Sequence, residues 1–347
     1  MDAKRAHLTL AGPDAAAARG PYAPPGEHVA RNPGLPLDLD LVLAQRVNRS
    51  AAERRAATIP TRRTVKKQWQ AAWLLRAITM IDLTTLSGDD TAGNVQRLCA
   101  KAMRPLRPDL EAQLGVEGLH ITTGAVCVYH QLVPIAVRAL GDSGIPVAAV
   151  STGFPAGLSP FATRVAEIRE SVAAGAREID IVITRGHVLR GDWEALYDEV
   201  RTFRDACGPA HMKAILGTGD LATLTNVARA SMVAMMAGAD FIKTSTGKTS
   251  LNATLGNNQV MLEAIRDFYL DTGVAIGMKP AGGIRTAKQA LQFLIAVKET
   301  LGDAWLNNTR YRFGASALLN DLLRQIEKER TGAYQAPYYF SEAAESY

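Results

Sequence analysis

Two lysines, Lys243 and Lys279, stand inside otherwise apolar runs, Phe241-Ile242-Lys243-Thr244 and Gly277-Met278-Lys279-Pro280. An ammonium is costly to bury, so lysine is rare in such places. Free lysine titrates near about 10.4, so at neutral pH only roughly one side chain in a few thousand is a neutral amine. A low-dielectric pocket and a second ammonium nearby both penalise the charged form, and together they bring one lysine of a pair toward neutrality. The chemistry that wants a neutral buried amine is Schiff-base formation with a carbonyl substrate. The competing reading is a plain buried ion pair. Asp82 in Ile81-Asp82-Leu83-Thr84-Thr85 and Asp180 in Ile179-Asp180-Ile181 supply carboxylates for it.

Three glycine-containing turns accompany the lysines: Ser245-Thr246-Gly247-Lys248, Ala281-Gly282-Gly283-Ile284-Arg285 and Gly314-Ala315-Ser316. Each runs into a helical pattern. Glycine lets backbone approach a ligand closely, and N–H groups at a helix start favour an anion. Singly each is an ordinary turn; in succession, with Lys248 and Arg285, they read as a phosphate cradle. The six histidines show no HxH or HxxxH spacing and no cysteine cluster joins them, so no metal site is expected. Cys127 reads as a buried structural thiol and His211 as a core residue. His130, at a strand end after Tyr129, is expected to line the pocket.

These residues need a scaffold, and the chain has a rhythm that provides one. Short β-type runs fall at 77–83, 125–129, 147–152, 178–183, 211–216, 241–245, 274–279 and 311–314. Several are continuously apolar, as in parallel strands buried on both faces. Amphipathic helical patterns lie between them, at 94–103, 160–174, 193–206, 221–237, 259–271, 286–297 and 317–330. Eight strand–helix repeats predict a (β/α)8 TIM barrel with an N-terminal helical extension. An open doubly wound sheet is disfavoured, because no GxGxxG follows the first strand. In a (β/α)8 barrel, reacting groups sit at the C-terminal ends of strands, which is where both lysines and the glycine turns fall.

The predicted organisation has three parts: an extension over 1–64, the barrel over 65–330 and a tyrosine-containing tail over 331–347. Within the extension, an Ala/Gly/Pro-rich arm precedes a helical pattern over 37–55. A second helix over 65–76 is expected to turn Trp69, Trp73 and Leu74 inward. The net charge of +5 is unevenly placed: residues 1–76 carry 13 Lys and Arg against 6 Asp and Glu, and the remainder 26 against 28. The basic stretch holding Arg54, Arg55, Arg62, Arg63, Lys66 and Lys67 lacks interleaved aromatics and reads as a solvated helix face, so no nucleic-acid partner is expected. No apolar run reaches the length of a membrane span, and no secretory signal is expected from the opening residues. Three cysteines without a CxxC pair fit a reducing, cytoplasmic compartment. The arm is a candidate surface for a partner or for self-assembly into a homo-oligomer.

Five motifs, read together, carry a resemblance. Phe241-Ile242-Lys243-Thr244-Ser245-Thr246-Gly247-Lys248 and Lys279-Pro280-Ala281-Gly282-Gly283-Ile284-Arg285-Thr286 resemble those of the deoxyribose-phosphate aldolase family, a family of class I aldolases. Ile81-Asp82-Leu83-Thr84-Thr85-Leu86, Glu178-Ile179-Asp180-Ile181-Val182 and Tyr311-Arg312-Phe313-Gly314-Ala315-Ser316 match the same family in the same order. The resemblance covers about residues 65–330, and the extension is similar to that of the family's longer members. It implies cleavage of 2-deoxy-D-ribose 5-phosphate to D-glyceraldehyde 3-phosphate and acetaldehyde, with no metal or cofactor and with small phosphosugar and aldehyde partners. It further implies that Lys243 forms the Schiff base, Lys279 lowers its pKa, Asp180 works with water as acid and base, and Asp82 partners Lys279. Thr84, Thr246, Gly247, Lys248, Gly282, Gly283, Arg285, Gly314 and Ser316 fall at substrate and phosphate positions. Tyr347 matches a C-terminal tyrosine that assists proton transfer in some members. The chain departs from the family in carrying His130 after Tyr129 and Ala317 after Ser316. Two other readings remain: a Schiff-base lyase for a related phosphosugar, and a silent phosphosugar-binding protein.

Overall fold

The computed structural model describes residues 30–336 and Tyr339, apart from Arg63 and Lys67. The expectations for the arm over 1–29 and for Tyr347 lie outside these residues.

Two helices, α1 (Leu39–Ala44) and α2 (Arg49–Arg62), replace the single helical stretch expected over 37–55. Asp38 caps α1 by accepting from Leu41 N–H, and Gln45 leaves helical backbone at its end. Beyond the break, Val47 N–H donates to Thr225 Oγ1 at 3.3 Å, a tertiary contact that pulls the chain out of the helical path. The third helix, α3 (Gln68–Thr79), runs further than expected and absorbs residues 77–79, assigned by the sequence to the first strand. Its buried stripe is Ala71, Leu74, Leu75 and Ile78. At about 100° per residue, Trp69 lies opposite that stripe. It is therefore 61% exposed rather than inward, while Leu74 is fully buried.

From there the chain alternates. The elements are β1 (Ile81–Thr84), α4 (Ala92–Met103), α5 (Pro108–Leu114), β2 (Ala125–Tyr129), α6 (Val133–Leu140), β3 (Val147–Ser151) and α7 (Phe161–Ala173). Then come β4 (Glu178–Val182), α8 (Arg185–Arg190), α9 (Trp193–Cys207), β5 (His211–Ile215), α10 (Leu224–Met236) and β6 (Phe241–Lys243). The last are α11 (Leu255–Thr272), β7 (Gly277–Lys279), α12 (Ala287–Leu301), β8 (Phe313–Ala315) and α13 (Ala317–Thr331). The eight strands form one parallel sheet in the order β7-β6-β5-β4-β3-β2-β1-β8. Two single bridges, Met278↔Tyr311 and Ala281↔Gly314, join β7 to β8 and close the barrel.

The strand alternation builds two cores. Val126, Val128, Ala149, Ile179, Ile181, Met212, Ala214, Ile242, Met278 and Phe313 face outward into the large apolar layer under the helices. Their neighbours in sequence face the barrel axis. On β2 and β3 these are apolar, and Cys127, Ala148 and Val150 join Leu86 in a small separate cluster. On β4 to β7, on β1 and just ahead of β8 they include the charged residues Glu178, Asp180, Lys213, Lys243, Lys279, Asp82 and Arg312.

The extension covers the outer helices: α1 lies on α10, α2 on α11 and α12, and α3 on α12 and α13. This explains why nine of the 13 residues of α10 are buried, more than one helix face supplies. Ahead of α1, the Asn32 side-chain amide donates to Met235 O at 2.7 Å and Ala239 O at 2.9 Å, pinning the chain below α10. After α13 the described residues fold back, with Arg324 Nε donating to Gln335 O at 3.2 Å. Among the described residues no helix is long and apolar enough to cross a membrane.

Candidate active site

A cleft open to solvent lies at the C-terminal ends of β1, β6, β7 and β8. Of the residues singled out in the sequence, Thr84, Lys243, Thr246, Gly247, Gly282, Gly283, Arg285, Gly314 and Ser316 line it. The loops that bring them together are laced to one another. Ser245 Oγ donates to Ala281 O at 2.6 Å, and Ala281 N–H donates to Thr244 Oγ1 at 3.0 Å. Gly282 has φ +80°, and a Cβ there would come within 2.8 Å of the Gly247 Cα. A Cβ on Gly314 would stand 2.8 Å from Ala281 Cβ and 3.1 Å from Lys279 Cε. Both positions need glycine for close approach. Beyond the glycines, Thr286 and Gln289 form a capping box that starts α12. Lys248 is exposed on its loop and is not among the lining residues. His130 does not line the cleft either. The chain turns into a short 3-10 helix there, leaving His130 exposed with its Nδ1 3.2 Å from Glu167 Oε1.

Beneath the cleft lies the charged part of the barrel interior. Strand register sets Lys243 beside Lys279 and Asp180 beside Lys213. Asp180 is the hub: Lys243 Nζ donates to its Oδ2 at 2.8 Å, Lys279 Nζ to the same oxygen at 2.7 Å, and Lys213 Nζ to its Oδ1 at 3.0 Å. Lys279 also lies 2.5 Å from Asp82. Lys213 reaches Glu178 at 2.5 Å and Asp82 at 3.6 Å. Arg312 closes the network, with Nη1 donating to Asp82 at 2.5 Å and Nη2 to Glu178 at 3.0 Å. The ion pairs with Asp82 and Asp180 that competed with catalysis in the sequence are therefore present, for both lysines.

The three lysines are not equivalent. Lys213 has three carboxylates within 4 Å, Lys279 has two and Lys243 has one. Burial pushes the Lys243 ammonium down; Asp180 offsets this in part, and Lys279 adds to it, leaving Lys243 below the usual lysine range. Burial acts on Lys279 too, but Asp180 and Asp82 outweigh it and hold Lys279 above that range. Lys213 is held up in the same way by Asp180, Glu178 and Asp82. Asp180 is desolvated, yet its three lysines keep it far below the usual carboxylate range. Asp82 is held down against its burial by Lys279, Arg312 and Lys213. The count agrees: three carboxylates face four cations, so the cluster is neutral when one lysine has lost its proton. Lys243, 3% exposed and lining the cleft, is the one that can both give up a proton and meet a ligand.

Sequence reasoning gave no role to Lys213, Glu178 or Arg312. A signal was present for each: His211-Met212-Lys213, Glu178-Ile179-Asp180 and Tyr311-Arg312-Phe313 alternate with period two, placing the polar residue on the axial face. Among the described residues no group of His, Cys, Asp and Glu is arranged to hold a metal ion.

Comparison with known proteins follows the same lines. Residues 76–324 match a family model described as DeoC/LacD family aldolase. The chain is 59% identical over 309 residues to the deoxyribose-phosphate aldolase of Homo sapiens, covering 88% of this chain and 97% of that one. It is 59% identical over 305 residues to that of Mus musculus, covering 87% and 96%. Among solved structures it is similar to the deoxyribose phosphate aldolase from Aeropyrum pernix, with a TM-score of 0.54 at 20% identity over 76% of this chain and 98% of that one. At that identity the likeness concerns the barrel.

Proposed function

The chain belongs to the DeoC/LacD aldolase family, and from that premise we infer that it is a deoxyribose-phosphate aldolase acting through an imine on Lys243. It is a class I aldolase that reversibly cleaves 2-deoxy-D-ribose 5-phosphate to D-glyceraldehyde 3-phosphate and acetaldehyde. The observation that carries the residue assignment is the inequality among the lysines: Lys243 has the fewest carboxylate partners and lines the cleft.

In the proposed sequence the Lys243 amine adds to C1 of the open-chain sugar, and the carbinolamine loses water to give a protonated imine. The imine nitrogen is the electron sink. The C3 hydroxyl gives up its proton through water held by Asp180, the C2–C3 bond breaks, and glyceraldehyde 3-phosphate leaves. The enamine left behind is protonated at C2, and water releases acetaldehyde and returns the Lys243 amine. Asp180 is held ionised by its lysines, so it relays and orients rather than stores a proton. Lys279 stays an ammonium and Asp82 fixes its position. Thr84, Thr246 and the N–H groups of Gly247, Gly282, Gly283 and Gly314, with Arg285, Lys248 and Ser316, hold the substrate and its phosphate. Tyr347 is the proposed donor to C2.

The same reading treats 65–330 as the catalytic barrel, with 1–64 and 331–347 as additions to it. It expects a cytoplasmic enzyme, in keeping with the three buried free thiols, and a homo-oligomer, which light scattering tests.

Reduction with borohydride in the presence of 2-deoxyribose 5-phosphate or acetaldehyde is the deciding experiment for the site. A stable adduct mapping to Lys243 is expected. An adduct on another lysine, or ligand binding without any adduct, would overturn the assignment.

A further inference from the structure

Two groups in the charged interior have no part in the steps above. Glu178 and Arg312 are buried, with side chains 6% and 7% exposed, and neither touches Lys243. Each holds a group that competes for Asp180. Glu178 draws Lys213, which it meets at 2.5 Å against 3.0 Å for Lys213 to Asp180. Arg312 meets Asp82 at 2.5 Å and Glu178 at 3.0 Å, and so shares the two carboxylates that also hold Lys279 and Lys213. The share of Asp180 left for Lys243 depends on both.

Resting on the reading of Lys243 as the imine-forming residue, we propose that Glu178 and Arg312 are positioning residues that set the charge state of Lys243 from opposite sides. By sharing Asp82 and Glu178, Arg312 loosens their hold on Lys279 and Lys213, which turns more of both lysines toward Asp180, leaves the Lys243 ammonium poorly compensated and favours the amine. Glu178 pulls Lys213 away from Asp180, which favours the ammonium. The direct charges act in the same directions, since a distant cation destabilises an ammonium and a distant carboxylate stabilises it. The groups acting on Lys243 are few: Asp180 on β4 and Lys279 on β7 carry charge, the Cys127 thiol on β2 is pushed up by burial, and Lys213 on β5 reaches it through Asp180. The balance therefore has few other determinants.

The test is the pH dependence of imine formation in the full-length protein, read as the rate at which acetaldehyde is trapped on Lys243 by cyanoborohydride. Arg312→Gln is expected to move the acid limb up by about one pH unit, and Glu178→Gln to move it down by a similar amount. The double variant removes one charge of each sign and is expected to return the limb toward wild type. A merely structural role predicts that both single variants lose amplitude at every pH, that neither limb moves, and that the double variant is worst; that pattern would overturn the proposal. If Arg312→Gln does not fold, the double variant set against Glu178→Gln carries the test: a limb restored supports the proposal, and a limb that stays low refutes it. No adduct on Lys243 in the wild type would overturn the reading of the site itself; a normal adduct with unmoved limbs would overturn only the roles of Glu178 and Arg312.

Discussion

The barrel interior has two sides that share burial and share little else. Along β2 and β3 the axial residues are Cys127, Ala148 and Val150, packed with Leu86 and flanked by Tyr129 and Phe154. Across from them, β4 to β7, β1 and the approach to β8 bring in the charges: Glu178, Asp180, Lys213, Lys243, Lys279, Asp82 and Arg312. The apolar side offers no countercharge, so whatever faces it bears the full penalty of desolvation. The charged side supplies countercharge unevenly, with most for Lys213 and least for Lys243. Reactivity arises where the two effects meet. A fully paired lysine would stay an ammonium, as Lys279 does, and an unpaired lysine elsewhere would have no ligand to attack.

Replacing Lys243 by Met breaks the comparison most severely. It should lower kcat at least about 10⁴-fold while the chain stays folded, because the three carboxylates and three cations that remain are in balance. Steady-state kinetics with circular dichroism checks both halves, and near-normal turnover would show that another amine forms the imine. Asp180→Asn removes the hub. Turnover should fall about 10²- to 10⁴-fold, and stability by about 3–5 kcal/mol because three buried ammoniums lose a shared partner. A denaturation midpoint equal to wild type would mean that the ladder of ion pairs contributes nothing net. Lys279→Met should cost about 10- to 100-fold at neutral pH. The loss should be partly recovered as the pH rises, because Lys243 titrates higher once its neighbouring ammonium is gone. A loss independent of pH would assign Lys279 a role other than charge.

Acid sharpens the same contrast. Asp82, Glu178 and Asp180 are all held below their ordinary values. Their stabilisation is complete above the unfolded values near about 4 and is lost as the pH falls toward the folded ones. Urea midpoints should therefore drop as the buffer is taken below about pH 4, and a flat profile would contradict the network. Val150→Ala probes the apolar side and should have the smallest effect. It deletes two buried methyl groups, costing about 1–2 kcal/mol, with turnover within about threefold of wild type. A large loss of rate would show that the apolar side contacts substrate.

Much of this arrangement was legible in the residues. The second strand was read residue for residue, and the lysine pair, both aspartates and the glycine turns lie on or just after the strands assigned to them. Two kinds of thing were not legible. Boundaries in apolar runs were ambiguous: Ala77-Ile78-Thr79 is as apolar as the strand that follows, and only packing of Ile78 on the stripe of α3 makes it helical. Partnerships across the barrel were the other. The sequence shows that Lys213 and Arg312 interrupt apolar strands, but which carboxylate each meets depends on strand stagger, which no local pattern carries. Trp69 failed for a simpler reason. An aromatic at helical spacing was assigned to the buried face, and the small residues Ala71 and Ala72 hold that face instead.

Asp82 lies on the first strand and Arg312 just ahead of the last, and the two meet at 2.5 Å. During synthesis the aspartate emerges from the ribosome some 230 residues before its guanidinium. Until then lysines are the cations that meet Asp82 and Glu178. The charged interior is therefore complete only once the final strand docks on the first.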